Sequence, residues 1–214
     1  MAFDSTLSWV FALAVCAFVA AQHETINQNC SIQADQLAAT LKQRAGECAE
    51  NLSLSSEESA SLLLSVLKLK DSLHIQQLKE CQGAQPRECP EANVPRNGGL
   101  VCVTAASRRY CKPMCNYGFD FAFIRRSRLY DECSQQTKYE WDSQYIGGRT
   151  LAVCSEARLQ VSGAKTAYFP ENQNCLTAKS SSQQQSDILD TFIDELRDRG
   201  VHAEHRHACL VCGE

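Results

Sequence analysis

The chain is poor in proline, with 5 in 214 residues and none before Pro86, so nothing in Ser31 to Cys81 forces a break in a helix. Long apolar runs are missing beyond the N-terminus. The longest, Leu62 to Leu69, is interrupted by Ser65 and Lys68 and is too short to span a bilayer. The end of the chain carries neither a hydrophobic tail nor a retention signal, which predicts no stable membrane insertion. Strong charge of either sign is also missing. Lys and Arg total 21 against 25 Asp and Glu, a net charge of -4 at pH 7, which argues against nucleic acid as the partner of the whole chain. There is no Gly-x-Ser-x-Gly elbow, no His-Glu-x-x-His pair, no Gly-rich phosphate loop and no conspicuous carboxylate pair. The sequence therefore reads as non-enzymatic, with no cofactor and no resident metal.

What is present first is an apolar run from Leu7 to Ala21 ending in Val19-Ala20-Ala21, the small-residue pattern of a signal peptide over 1–21. Thirteen cysteines are present, and Cys16 lies inside that segment, leaving twelve in the expected mature chain. An even set at this density predicts disulfides formed in an oxidising compartment, hence a secreted, extracellular protein. Asn29-Cys30-Ser31 and Asn51-Leu52-Ser53 fit the glycosylation sequon, making Asn29 and Asn51 candidate glycan acceptors.

Residues 22–85 read as a helical hairpin. Ile32, Leu37, Leu41, Ala45 and Cys48 gather on one helical face, and Glu58 stands three residues after Ser55 as in a capping box. A second helix follows with Leu62, Val66, Leu69, Leu73 and Leu78 as its stripe, broadened by Leu63, Leu64, Leu67 and Ile75. Such width predicts core packing against more than one neighbour. The alternative is a face for an apolar ligand or for dimerisation, the property of a carrier or signalling protein.

From 86 to 154 the pattern changes to short β-like stretches separated by turns. Phe119, Phe121 and Phe123 alternate, predicting a strand with one aromatic face and with Asp120 and Ala122 facing out. Cys102 and Cys111 are spaced for a disulfide across a hairpin turning near Ala105 to Arg109. Cys89-Pro90, Pro95, Asn97-Gly98-Gly99, Cys115-Asn116-Tyr117-Gly118-Phe119, Cys133, Trp141 and Cys154 follow in an order that resembles the sushi, or complement control protein, module. The resemblance covers about a third of the chain, and Cys102 and Cys111 are additional to its pattern. It implies pairing of Cys89 with Cys133 and of Cys115 with Cys154, Trp141 packed between short strands, and a role in recognising proteins or glycans.

Arg108, Arg109, Lys112, Arg125, Arg126 and Arg128 form a candidate basic patch for a sulfated glycan or an acidic protein surface. The competing reading pairs these arginines with Asp120, Asp131 and Glu132 as ordinary ion pairs.

Residues 155–214 suggest a β-hairpin over Ala157 to Phe169 turning at Ser162-Gly163, then a polar loop from Ser180 to Gln185. A helix opening at Ser186 would bury Ile188, Leu189, Phe192, Ile193 and Leu196 and end at Gly200, with a final edge strand through Leu210 and Val211. If the six cysteines of the middle region pair among themselves, parity calls for a bridge from Cys30, Cys48 or Cys81 to Cys175, Cys209 or Cys212, bracing the helical region against the C-terminal region; the alternative is an odd cysteine in each outer region, used between chains or left free. His202, His205 and His207 before Cys209-x-x-Cys212 have zinc-compatible spacing, but an oxidising context favours disulfides there. The expectation is an α+β protein: an N-terminal helical hairpin, a central disulfide-rich sushi-like β module, and a C-terminal β-hairpin plus helix. Its expected work is binding an extracellular protein or sulfated glycan.

Overall fold

A computed structural model describes residues 55–143 and 148–213, together with helical positions 36, 39 and 40. The first helix of the expected hairpin, Cys30, Cys48, Asn29 and Asn51 lie outside the described residues. The chain divides into two units, 1–64 and 65–214.

Two strands, β1 (Gly98–Ala105) and β2 (Arg108–Cys115), are joined by a two-residue turn in which Ala106 and Ser107 both take positive φ, 49° and 59°. That geometry is the type I′ turn, whose twist matches the strands it connects. Cys102 stands directly opposite Cys111 in the register, and the two are bonded. β1 is buried along its whole length because both of its faces are covered. One face carries Val101, Val103 and Ala105 into a core with Tyr110, Met114, Phe169, Phe192 and Leu196. The other carries Leu100 and Cys102 into a core with Cys133, Trp141, Leu151 and Val211.

The remaining strands are β3 (Phe119–Phe121), β4 (Asp131–Cys133), β5 (Cys154–Glu156) and β6 (His205–Cys212). The main sheet is antiparallel in the order β4-β2-β1-β6, and β3 pairs with β5 in a second small sheet. Since β6 lies beside β1, residues from 86–154 and from 155–214 build one sheet rather than two separate regions. His207 has a positive φ of 48° at the point where the β1–β6 register slips between Cys102 and Thr104, a β-bulge that bends the edge strand.

The helices are α1 (Ser56–Lys79), α2 (Cys175–Lys179) and α3 (Ser182–Asp198). Ser55 Oγ accepts from Glu58 N–H at 3.2 Å while Glu58 Oε2 accepts from Ser55 N–H at 2.9 Å, so the capping box opens α1. α3 lays Phe192 and Leu196 against the sheet. After it, Gly200 takes φ 87° and lets Val201 N–H return to Leu196 O, the left-handed stop that glycine permits.

Five disulfides join described residues: Cys81–Cys209, Cys89–Cys133, Cys102–Cys111, Cys115–Cys154 and Cys175–Cys212. Cys81–Cys209 ties the end of α1 to β6, and Cys175–Cys212 ties α2 to the same strand. Trp141 is buried against the disulfide-rich core and donates its indole N–H to Pro90 O at 2.7 Å.

Several expectations are overturned. No hairpin forms over 157–169; that segment holds only a 3-10 turn at Lys165–Ala167, and Leu159 and Val161 are exposed. The backbone donors of Val161 and Ser162 go instead to the Asp120 carboxylate. Asp120 is accordingly buried, while Ala122 is exposed. The polar stretch 180–185 is not a loop throughout, because Ser181 caps a helix that starts at Ser182, and glutamine propagates helix well. Most leucines of α1 are not core: no residue of that helix is fully buried, and of the expected stripe only Leu78 packs against a core cluster.

Candidate functional site

The sharpest discord between composition and environment lies on α1. Leu62, Leu63, Leu64, Val66, Leu67, Leu69, Leu73 and Ile75 are all exposed, from 39% at Leu69 to 62% at Leu63. At 100° per residue, Val66, Leu69 and Leu73 fall within about 60° of one another and form a seam. Leu63 and Leu67 widen it on one side. Leu64 and Ile75 lie on the far side of the helix. Because Leu64 and Ile75 lie on the far side, these eight side chains do not make one contiguous patch, and only those sharing the seam's side could meet a single partner.

The C-terminal end of α1 is held firmly. Besides Cys81–Cys209, the Gln77 amide donates to Cys212 O at 3.2 Å and accepts from Cys212 N–H at 3.2 Å, taking the place of a strand neighbour on β6. Lys179 Nζ bonds Glu80 at 2.7 Å and Leu210 O at 2.8 Å. An apolar groove of about 630 Å³ runs beside the seam, lined by Leu73, His74, Gln77, Leu176, Lys179 and Gly213 among others. Nothing in the spacing of Gln77 singled it out, since only the folded sheet places the β6 edge beside it.

The six basic residues do not form one surface. Arg109, Lys112 and Arg125 are buried. Lys112 Nζ meets Glu195 of α3 at 2.6 Å, and Arg125 bonds Asp131 at 2.8 Å and Leu151 O at 2.9 Å. Arg128 bonds Asp131 at 2.7 Å and lies 3.2 Å from Asp142, and Arg108 lies 3.5 Å from Glu132. Arg126 is exposed and donates to Val161 O at 2.7 Å. Alternation along β2 and the turn after β3 point these groups to different faces, so the ion-pair reading describes Arg108, Arg125 and Arg128. Burial works to raise the Asp131 carboxyl above its ordinary value, and the two guanidiniums offset this only in part.

Asp120, expected in solvent, is the hub of a clamp. Its carboxylate accepts the N–H groups of Phe121, Val161 and Ser162, the Ser162 hydroxyl and the Tyr168 hydroxyl. Burial opposes its ionisation, but the bonds from Tyr168, Val161, Ser162 and Phe121 outweigh it and hold the carboxyl below the usual range. Burial and the adjacent carboxylate push the Tyr168 hydroxyl up to about 12. This arrangement fixes a loop and leaves Asp120 no free oxygen facing a substrate.

Cys209 and Cys212 are each spent on separate disulfides, to Cys81 and to Cys175, so they do not act as a dithiol or as thiolate ligands here. Among the described residues, no cluster of His, Cys, Asp and Glu is arranged to hold a metal ion, and no helix is long and apolar enough to cross a membrane. No protein-family model matches the chain, and searches of the curated proteins and of the solved structures give no match.

Proposed function

We propose that this is a secreted, non-enzymatic recognition protein in which a disulfide-stapled β platform presents the leucine seam of α1 to another amphipathic helix. In the simplest assembly that helix belongs to a second copy of the chain. The carrying observation is the seam itself: three apolar side chains, Val66, Leu69 and Leu73, at 3-4 spacing, exposed on a helix whose end is anchored by Cys81–Cys209 and Gln77. Spacing of this kind suits knobs-into-holes packing. The five disulfides fit an oxidising extracellular setting. Pairing of Cys89 with Cys133 and of Cys115 with Cys154, with Trp141 packed in the cluster of the first pair, supports a sushi-like reading of 89–154. β6 and α3, which complete the sheet and core, lie outside that pattern.

Sedimentation equilibrium on the protein secreted from eukaryotic cells tests the proposal. The mass should approach twice that of the monomer at tens of micromolar and return to monomer in a Leu69→Glu, Leu73→Glu variant that keeps its disulfides. A monomer at every concentration overturns self-association. Retention on heparin, lost on replacing Arg108, Arg126 and Arg128, would then favour the sulfated-glycan reading.

A further inference from the structure

Arg109 is a buried cation that no described carboxylate meets in an ion pair. It is 5% exposed, and its guanidinium donates to Thr104 Oγ1 at 3.2 Å, to His207 O at 2.7 Å and to Cys209 Sγ at 3.2 Å. The bulge at His207 turns that carbonyl toward the guanidinium, and both oxygen acceptors are neutral. Among the described residues Arg109 makes no ion pair. Burial pushes its pKa down to about 10, with the Glu91 carboxylate acting in the other direction, so the group stays charged at neutral pH. A disulfide sulfur is a weak acceptor, whereas a thiolate at the same place would neutralise the guanidinium.

The two sulfurs of this disulfide differ in access. Cys81 lines a small cavity of about 30 Å³ together with Arg109, Glu91 and Trp141. It also lines an open groove of about 480 Å³ that holds two basic side chains, Arg96 and Arg149, against one acidic one, Glu91. Cys209 lines neither. The basic residues at the groove favour approach of an anionic thiolate. Among the described residues no cationic side chain hydrogen-bonds a sulfur of the other four disulfides, although Cys89 is more exposed than Cys81.

We propose that Cys81–Cys209 is a thiol-exchange site, at which a low-molecular-weight thiol of the glutathione class attacks Cys81 Sγ and Cys209 departs as a thiolate onto Arg109. The attacking thiolate forms a new S–S bond to Cys81 as the Cys81–Cys209 bond breaks, its electron pair leaving on Cys209. A second thiolate then attacks the small-molecule sulfur of the mixed disulfide and releases Cys81. Two thiols are oxidised to a disulfide and two electrons pass to the protein. The protons shed by the thiols go to Cys81 and solvent, while Cys209 remains ionised beside Arg109. Exchange is faster when the leaving thiol has the lower pKa, which is the effect assigned to Arg109. Opening removes the covalent tie between α1 and β6 and leaves the Gln77 and Glu80 contacts to hold the helix. The exchange chemistry does not depend on what α1 binds.

The test incubates the native full chain with reduced glutathione, quenches samples with N-ethylmaleimide, and locates adducts by peptide mass spectrometry without further reduction. The expected first product carries glutathione on Cys81 and maleimide on Cys209, with the other four disulfides intact. Earlier opening of Cys89–Cys133, the pair exposure alone would favour, overturns the proposal, as does glutathione on Cys209 with maleimide on Cys81. Arg109→Gln should slow opening of this bond by about tenfold, the direction expected when the leaving thiol loses the cation that lowers its pKa; an unchanged rate overturns the role of Arg109. If that variant does not fold, the order and position of labelling in the native protein decide the matter by themselves.

Discussion

Lys112 of β2 and Glu195 of α3 meet at 2.6 Å with unequal burial, the ammonium side chain 2% exposed and the carboxylate side chain 15%. Burial pushes the Lys112 pKa down, and Glu195 offsets this only in part. Removing the carboxylate strands a charge beneath α3. Removing the ammonium leaves a carboxylate near solvent that still accepts the Thr166 hydroxyl. Glu195→Ala should therefore cost about 3 kcal/mol, and Lys112→Met, which keeps the volume, less than about 1.5 kcal/mol. Urea denaturation of both variants checks the order; equal costs would show that the pair does not carry this asymmetry.

Local rules were legible where the chain closes its own contacts. Ser55 and Glu58 cap α1, Cys102 faces Cys111 across a two-residue turn, and Gly200 ends α3, all through residues at most ten apart. The spread of Cys81, Cys175, Cys209 and Cys212 announced a brace to the C-terminal region but left its pairs open. Three features were not legible because they depend on which surfaces meet. Alternation along 119–123 marks two faces but not that loop 160–163 would fold over Asp120. The arginine cluster does not reveal that α3 and Asp131 draw Lys112 and Arg125 inward. A leucine stripe marks apolarity, not whether anything covers it. The cation at Cys209 was hidden for the same reason, since Arg109 and Cys209 are 100 residues apart.

The Asp120 clamp gives a pH dependence with a defined sign. Because the folded-state pKa lies below the usual carboxyl value, its contribution is fully present above the ordinary carboxyl range and is lost as pH falls through the folded-state pKa. Asp120→Asn should cost about 3 kcal/mol at pH 7, since an amide cannot accept from all of these donors. The gap from the parent should narrow from pH 7 toward pH 2 as the parent carboxylate begins to take up its proton. Tyr168→Phe should move the acid transition to higher pH. Denaturant titrations at both pH values test this, and a gap independent of pH would mean that the ionised carboxylate is not the stabilising species.

The β1–β2 turn places Ala106 and Ser107 at positive φ, a conformation that costs side-chain-bearing residues about 1 kcal/mol or more each. Asn-Gly is the pair that this turn favours. Ala106→Asn with Ser107→Gly should raise stability by about 1 kcal/mol, read as a higher midpoint in guanidinium with an unchanged slope. A loss of stability would indicate that the Ala106 or Ser107 side chain makes a contact worth more than the relieved strain.

The leucines of α1 and the aromatic core under α3 should respond to substitution in opposite ways. Phe192 is fully buried against the sheet, next to Tyr130 and Leu196, so Phe192→Ala should cost about 3–5 kcal/mol through lost burial and the cavity left behind. Leu69 and Leu73 have large parts of their surface in water, and glutamine propagates helix nearly as well as leucine. Leu69→Gln and Leu73→Gln should thus shift monomer stability by less than about 0.5 kcal/mol each. If they stabilise nothing within the monomer, their apolar surface stays free for a contact outside it. The comparison is best made at nanomolar concentration, where an assembly through the seam is dissociated and the denaturation midpoint reports the monomer alone. A loss of 2 kcal/mol or so there, typical of a buried leucine, would place these side chains inside the fold and remove the basis for a docking seam.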